Sequence, residues 1–304
     1  MPAALAMLPW RPLTALCGRA SPAPNISYWY RKHTSKTRLP ILFIHGIGIG
    51  YYTYAEFIAD LTSNTGQQID DEQGIIAIEL MSISMRICSP ALRNDEMVNG
   101  IRIVLDAHGW DGLNLVCHSY GSAIAASILR DQSLSKRVKA AVMIDPICFL
   151  LHLPDVAYNF TRRKPNKASE AMLYYFSSQD MMISHTLARR FFWSEYILWK
   201  EDIVDLRMTV TLSGRDIIVP TKAVWDYLTD SRSNLDQCSS TVALEQQHEG
   251  DATEWSDEIR NVTWFRNFNH ADLFATKAAR RGVAELIRRY CEHPSVVSRP
   301  KSQG

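Results

Sequence analysis

Short, mostly apolar runs recur along the chain, separated by segments with helical spacing. Ile41-Leu42-Phe43-Ile44, Leu113–Cys117 and Ala140–Ile144 carry apolar residues at successive positions. A strand buried on both faces of a parallel sheet has that pattern. Ile75–Ile83, Met208–Leu212 and Val262–Phe265 read as further strands. Between them, Tyr54, Phe57, Ile58 and Leu61 share one face of a helix over Tyr52–Leu61, and Met97, Ile101, Val104, Leu105 and His108 stripe another. His108 reads there as a helix-face or C-terminal residue. Gly121–Ala126 opens a small-residue helix over Ser119–Leu129. Asn269-His270 opens a last one, with Val283, Leu286, Ile287 and Tyr290 as its buried stripe. Alternation of this kind implies right-handed crossovers. The expected architecture is α/β, a mostly parallel sheet with helices on both faces.

The pattern breaks in four places. Residues 150–206 show no strand alternation and hold 10 of the 30 aromatic residues. They read as a helical, aromatic-rich insertion over the sheet edge, a lid. Its rings are either the core of a small helical subdomain or, in part, the lining of an apolar pocket, with Phe176 and Trp193 as candidates. Arg162, Arg163 and Lys164 lie among them, as a solvated loop or a seat for a carboxylate or membrane phosphate. Residues 230–259 carry eight acidic residues against the single base Arg232, and read as an exposed mobile insert. Residues 1–25 hold five prolines and read as a flexible tail, and 293–304 as another. The sheet-bearing core is then 26–149 with 207–292.

Composition narrows the function classes. Hydrophobic content of 46% with 21% charged residues is that of a globular protein with an ample core. A net charge of +1 argues against a nucleic-acid binder. No run approaches the roughly 20 apolar residues of a membrane span. Ala3–Leu8 lacks a basic region before it, which weakens a secretory reading. Residues 1–55 contain no Asp or Glu, a faint transit-peptide trait that the prolines oppose. The six cysteines show no metal-ligand spacing and read as reduced thiols, so a cytoplasmic location is expected. Nothing in the sequence specifies an oligomeric state.

The chemistry lies at strand ends, where ligands of such sheets bind. His45-Gly46-Ile47-Gly48-Ile49-Gly50 follows the first core strand but lacks the later glycine and the Lys-Ser/Thr of phosphate loops. No acidic residue closing a clear next strand fits a ribose partner. The glycines instead suit close backbone approach to an oxyanion. Cys117-His118-Ser119-Tyr120-Gly121 places a serine on a sharp strand-to-helix turn, the geometry of a nucleophile elbow. A bare capping serine is the alternative. Serine needs an adjacent base, and the base needs a carboxylate. Of the nine histidines, His270, just after the last strand, is the one placed to lean over Ser119, whereas His293 falls in the tail. Asp216, after a glycine turn, supplies the acid. Asp145 is the rival, although it precedes Pro146 and suits a turn cap. The order Ser, Asp, His fits this architecture.

With these residues the chain resembles the α/β-hydrolase superfamily from about Ile41 to Tyr290. The matching pieces are His45-Gly46 with Ile47, Cys117–Gly121, Gly214-Arg215-Asp216 with Val219-Pro220, and Asn269-His270-Ala271. More narrowly, Asp145–Pro154 and Asp106–Asp111 are similar to fungal hydrolases found beside natural-product biosynthetic enzymes. The resemblance implies the α/β-hydrolase fold, a Ser119–His270–Asp216 triad, and an oxyanion hole from the backbone N–H groups of Ile47 and Tyr120. His45, Gly46, Gly48, His118 and Gly121 would support the elbow and loop. Cys117 departs from the usual first elbow glycine, and the acidic insert lengthens the Asp-to-His interval. The implied activity is cofactor-free serine hydrolysis of an ester, thioester or lactone of an apolar small molecule, with no metal. Acyl transfer or cyclisation by the same triad, and a non-catalytic binding protein of the same fold, are the alternatives.

Overall fold

The computed structural model describes residues 8–10, 20–63, 71–230, 252–257 and 259–292. The strands are β1 (Leu8–Trp10), β2 (Ser27–Arg31), β3 (Ile41–Ile44), β4 (Ile75–Glu79), β5 (Leu113–His118), β6 (Val138–Ile144), β7 (Arg207–Ser213), β8 (Ala252–Ser256) and β9 (Arg260–Phe265). Among the described residues they form one sheet in the order β1-β2-β4-β3-β5-β6-β7-β9-β8. From β4 to β9 every neighbour is parallel, whereas the edge pairs β1–β2, β2–β4 and β8–β9 are antiparallel.

The apolar runs make the centre of this sheet because both of their faces are covered. Leu42 and Ile44 of β3 enter one core cluster, and Ile41 and Phe43 enter the other. β6 divides likewise, with Ala141 and Met143 on the first face and Ala140, Val142 and Ile144 on the second. Helices α1 (Ala55–Thr62) and α10 (Lys277–Glu292) pack on the second face. Helices α2 (Asn94–Ala107), α3 (Gly121–Arg130) and α8 (Thr221–Thr229) cover the first. His108 ends α2, and its Nε2 pairs with the Tyr28 hydroxyl at 2.9 Å.

Between β6 and β7 the chain leaves the sheet and forms α4 (Asp155–Thr161), α5 (Ala168–Leu173), a π-helical turn over Tyr174–Ser178, α6 (Met181–Arg189) and α7 (Trp193–Tyr196). This is the aromatic segment that lacked strand alternation.

Several boundaries differ from the sequence reading. The expected tail over 1–25 contains β1 and is described again from residue 20. The expected acidic insert over 230–259 ends in β8, which pairs with β9 through residues 252–256. Its residues 231–251 and 258 lie outside the described residues, as do 293–304. The strand expected over Ile75–Ile83 stops at Glu79, and a 3₁₀ turn follows over Met81–Ile83. Asn269-His270 opens only the short helix α9 (Asp272–Ala275), after which Thr276 breaks the chain before α10.

No described helix is long and apolar enough to cross a membrane. Among the described residues Cys88, Cys117, Cys148 and Cys291 are free thiols.

Candidate active site

The site is assembled where β5 gives way to α3. Ser119 has a φ of +50°, a left-handed conformation unusual for a residue with a side chain. The turn works because its neighbours carry no bulk. A Cβ on Gly121 would lie 2.3 Å from the Ile44 carbonyl oxygen, and one on Gly46 would lie 2.8 Å from His118 Nδ1. Cys117 replaces the usual glycine without strain, since its side chain points into the apolar core. Ser122 ties the turn down. Its hydroxyl donates to the Ser119 carbonyl at 2.6 Å and accepts from the Ile147 amide at 2.9 Å.

Ser119, His270 and Asp216 come together from the ends of β5, β9 and β7. Ser119 Oγ lies 2.8 Å from His270 Nε2, and His270 Nδ1 lies 2.6 Å from Asp216 Oδ2. Asp216 is a carboxylate acceptor, so Nδ1–H donates to it and Nε2 accepts from the serine. The other Asp216 oxygen accepts from the Ile218 and Val219 amides, at 2.7 and 3.0 Å. Burial opposes the His270 imidazolium, but the Asp216 charge and hydrogen bond, with Asp145 behind them, raise its pKa above the ordinary histidine value.

Asp145 does not contact the imidazole nitrogens. It accepts from the Ser213 amide at 3.0 Å and from the Ala271 amide at 2.9 Å. It therefore clamps the residue after His270 to the end of β7. Ala271 needs such a clamp, because its φ is +70°. Burial, and then the like charge of Asp216, raise the Asp145 pKa, partly against the pull of His270. Ligand atoms of Asp145, Asp216 and His270 lie within 4.8 Å of one another. Each is already committed to a backbone amide or to a neighbouring side chain of the site.

The loop after β3 completes the site. His45 is fully buried, and its Nε2 accepts from the Leu80 amide at 2.9 Å. Nδ1 therefore carries the proton and donates to the Gly46 carbonyl at 2.7 Å. Gly46 donates its amide to the Tyr54 hydroxyl, which in turn meets His118 Nδ1 at 2.7 Å. Gly48 donates to the Ile83 carbonyl at 3.1 Å. These bonds set Ile47 beside Ser119 and Tyr120, and all three line one cavity. Tyr54 and Ser122 went unassigned in the sequence. Tyr54 has the spacing of a core residue, and only its hydroxyl, at the meeting of two loops, reveals the second role. Glu79 was passed over as well. It does close β4, but its carboxylate is paired with Arg86 at 2.8 Å and accepts the Trp29 indole N–H.

The cavity encloses about 310 Å³ and runs from Ser119 toward α4, α6 and α7. Its walls are mainly Ile47, Leu151, Val156, Phe160, Leu187 and Phe191, with His152 as its one ionisable side chain besides Tyr120. Trp193 lines it. Phe176 does not: it faces outward from the π-helical turn and is 63% exposed. The aromatic segment thus divides between cavity wall and outer surface, which composition could not separate.

The fold is the α/β-hydrolase fold. A family model described as alpha/beta hydrolase fold matches residues 40–180. No curated protein matches the sequence. A meta-cleavage product hydrolase from Pseudomonas fluorescens superposes with a TM-score of 0.57 at 16% identity, over 90% of this chain and 98% of its own. A carboxylesterase from Bacillus subtilis superposes with a TM-score of 0.54 at 11% identity, over 89% of each chain. A membrane phospholipase A, described as a bacterial virulence factor, gives 0.55 at 14% identity, over 94% and 87%.

Proposed function

We propose that the protein is a serine hydrolase that cleaves an ester, thioester or lactone of an apolar small molecule through an acyl-enzyme. The observation that carries this reading is the continuous chain Asp216–His270–Ser119, with distances of 2.6 and 2.8 Å, opening on an apolar cavity. In it, Ser119 Oγ attacks the carbonyl carbon while His270 Nε2 takes the hydroxyl proton. Asp216 holds the imidazole in the required tautomer and stabilises the imidazolium. The amides of Ile47 and Tyr120 receive the developing oxyanion, with the N-terminus of α3 adding its dipole. His270 returns the proton to the leaving group. Water, activated by the same imidazole, then releases the acid. No step calls for a cofactor or a metal.

The cavity supports an apolar acyl group, because among the described residues no Asp, Glu, Lys or Arg lines it. The helical segment over 150–206 acts as the lid that forms its wall. Small apolar lactones and thioesters of the kind handled near natural-product biosynthesis suit this space, in keeping with the resemblance to the fungal hydrolases. Unpaired thiols suit the cytoplasm. The test is labelling by a fluorophosphonate probe. The wild-type chain should label and Ser119→Ala should not. Undiminished labelling of the Ser119→Ala variant would remove Ser119 from its role.

A further inference from the structure

The segment between β6 and β7 that walls the cavity also carries exposed apolar residues. Met172, Tyr175, Phe176, Met181, Phe192 and Trp193 are each at least 50% exposed. Met172, Tyr175 and Phe176 follow the i, i+3, i+4 spacing along α5 and its π-helical continuation, so they share one face. Leu173 turns inward and packs against the core. The segment therefore presents apolar side chains inward, through Leu173, and also to solvent, through Met172, Tyr175 and Phe176. Aromatic rings gathered on one exposed face mark an interaction surface, where scattered ones would not.

Charge says what kind. Residues 158–193 hold six Lys and Arg against two acidic residues, +4 in a chain whose total is +1. Both acids are occupied within the segment: Glu170 pairs with Arg163 at 3.1 Å, and Asp180 caps α6 by accepting from the Met182 and Ile183 amides. Arg162, Lys164, Lys167 and Arg189 are exposed. Exposed rings interleaved with long basic side chains suit the boundary of an anionic bilayer. The rings sit at headgroup depth and the stems of Lys and Arg reach up to the phosphates. The same elements connect this surface to the cavity. α4 places Ala157 and Thr161 in the cavity wall and Tyr158 outside, and Trp193 does both.

We propose that the outer face of residues 158–193 docks on anionic phospholipid membrane. In doing so it brings the cavity to the bilayer surface, so that an apolar ester enters it with little contact with water. The supply of substrate rests on the hydrolase reading above; the docking itself does not.

The experiment is co-sedimentation of the full chain with vesicles of phosphatidylcholine alone, and with vesicles that also contain phosphatidylglycerol. Binding should require the anionic lipid and weaken as salt is raised. Arg162→Glu with Lys164→Glu should lower the partition coefficient tenfold or more, since each basic residue near such a surface contributes about fivefold. Tyr175→Ser with Phe176→Ser should lower it as well, with the circular dichroism and melting of both variants close to wild type. Absence of wild-type binding, equal binding to the two vesicle types, or unchanged binding by both variants would overturn the proposal. So would a dimer in sedimentation velocity that Tyr175→Ser with Phe176→Ser dissolves, because a second copy would then be what covers this face. Ser119 labelling in the same preparations reports on the hydrolase reading separately.

Discussion

At the scale of single residues, two carboxylates near one imidazole have been given different work by their neighbours. Asp216 bonds the His270 ring, and Asp145 holds the backbone that carries it. Asp216→Asn should reduce turnover by about 10⁴-fold, because the amide favours the wrong imidazole tautomer. Asp145→Asn should keep most of the turnover at its optimum pH and lose stability instead, by about 1–3 kcal/mol, since one backbone amide loses its acceptor. The opposite ranking in steady-state turnover would move the acid role to Asp145. The pH profile follows from the charges. In the proposed mechanism the base is neutral His270, whose pKa is raised by Asp216 and Asp145 despite burial. Activity should therefore rise with pH through a limb above about 6.5, the ordinary histidine value. Removing the Asp145 charge lowers the His270 pKa, so in Asp145→Asn that limb should move to lower pH. A limb that stays in place would mean that Asp145 exerts no field on the base. The meeting of Ser119, Asp216 and His270 was legible in the sequence, because an activated serine requires those residue types at strand ends. The clamp by Asp145 was not, because it depends on which backbone amides face the carboxylate.

At the scale of elements, the strand and helix pattern was readable wherever both faces of a run are apolar, as in β3, β5 and β6. It failed at the edges. Ala252–Ser256 alternates exposed and half-buried positions with no apolar run, yet its antiparallel pairing with β9 makes it a strand. Leu8–Trp10 is likewise held by pairing with β2, a long-range contact that local composition does not encode. Tyr54 shows the same limit inside the site. Its ring packs against Phe43 and Phe274, as a core residue should, while its hydroxyl joins the Gly46 amide to His118. Tyr54→Phe keeps the packing and strands both partners. The expected loss is about 1–3 kcal/mol in denaturant unfolding, with a fall in turnover as the loop carrying Ile47 loosens. Unchanged stability and turnover would reduce Tyr54 to a packing residue.

At the scale of the whole molecule, the sheet brings the ends of β3, β5, β6, β7 and β9 to one edge, and residues of the segment over 150–206 wall a cavity above them. Each methylene buried there contributes about 0.8 kcal/mol, and anchoring a remote chain also fixes the carbonyl against Ser119. Octanoate esters should therefore exceed acetate esters of the same chromophore in kcat/KM. Trp193→Ala should flatten that preference, and Phe176→Ala, outside the cavity, should leave it intact. A flat wild-type profile would make the cavity rings structural alone. The aromatic content of the segment was visible in the sequence. Its division into an inner wall and an outer face was not, because that division is set by how α4, α6 and the π-helical turn pack together.

The central claim is that Ser119 becomes acylated during turnover, and rapid mixing with a chromogenic octanoate ester, followed by acid quench and peptide mass spectrometry, tests it most directly. With deacylation the slower step, the account predicts a burst approaching one leaving group per chain together with an octanoyl mass increment on the peptide containing Ser119, both absent from Ser119→Ala. Turnover with the increment on another residue, or turnover that survives in Ser119→Ala, would contradict it.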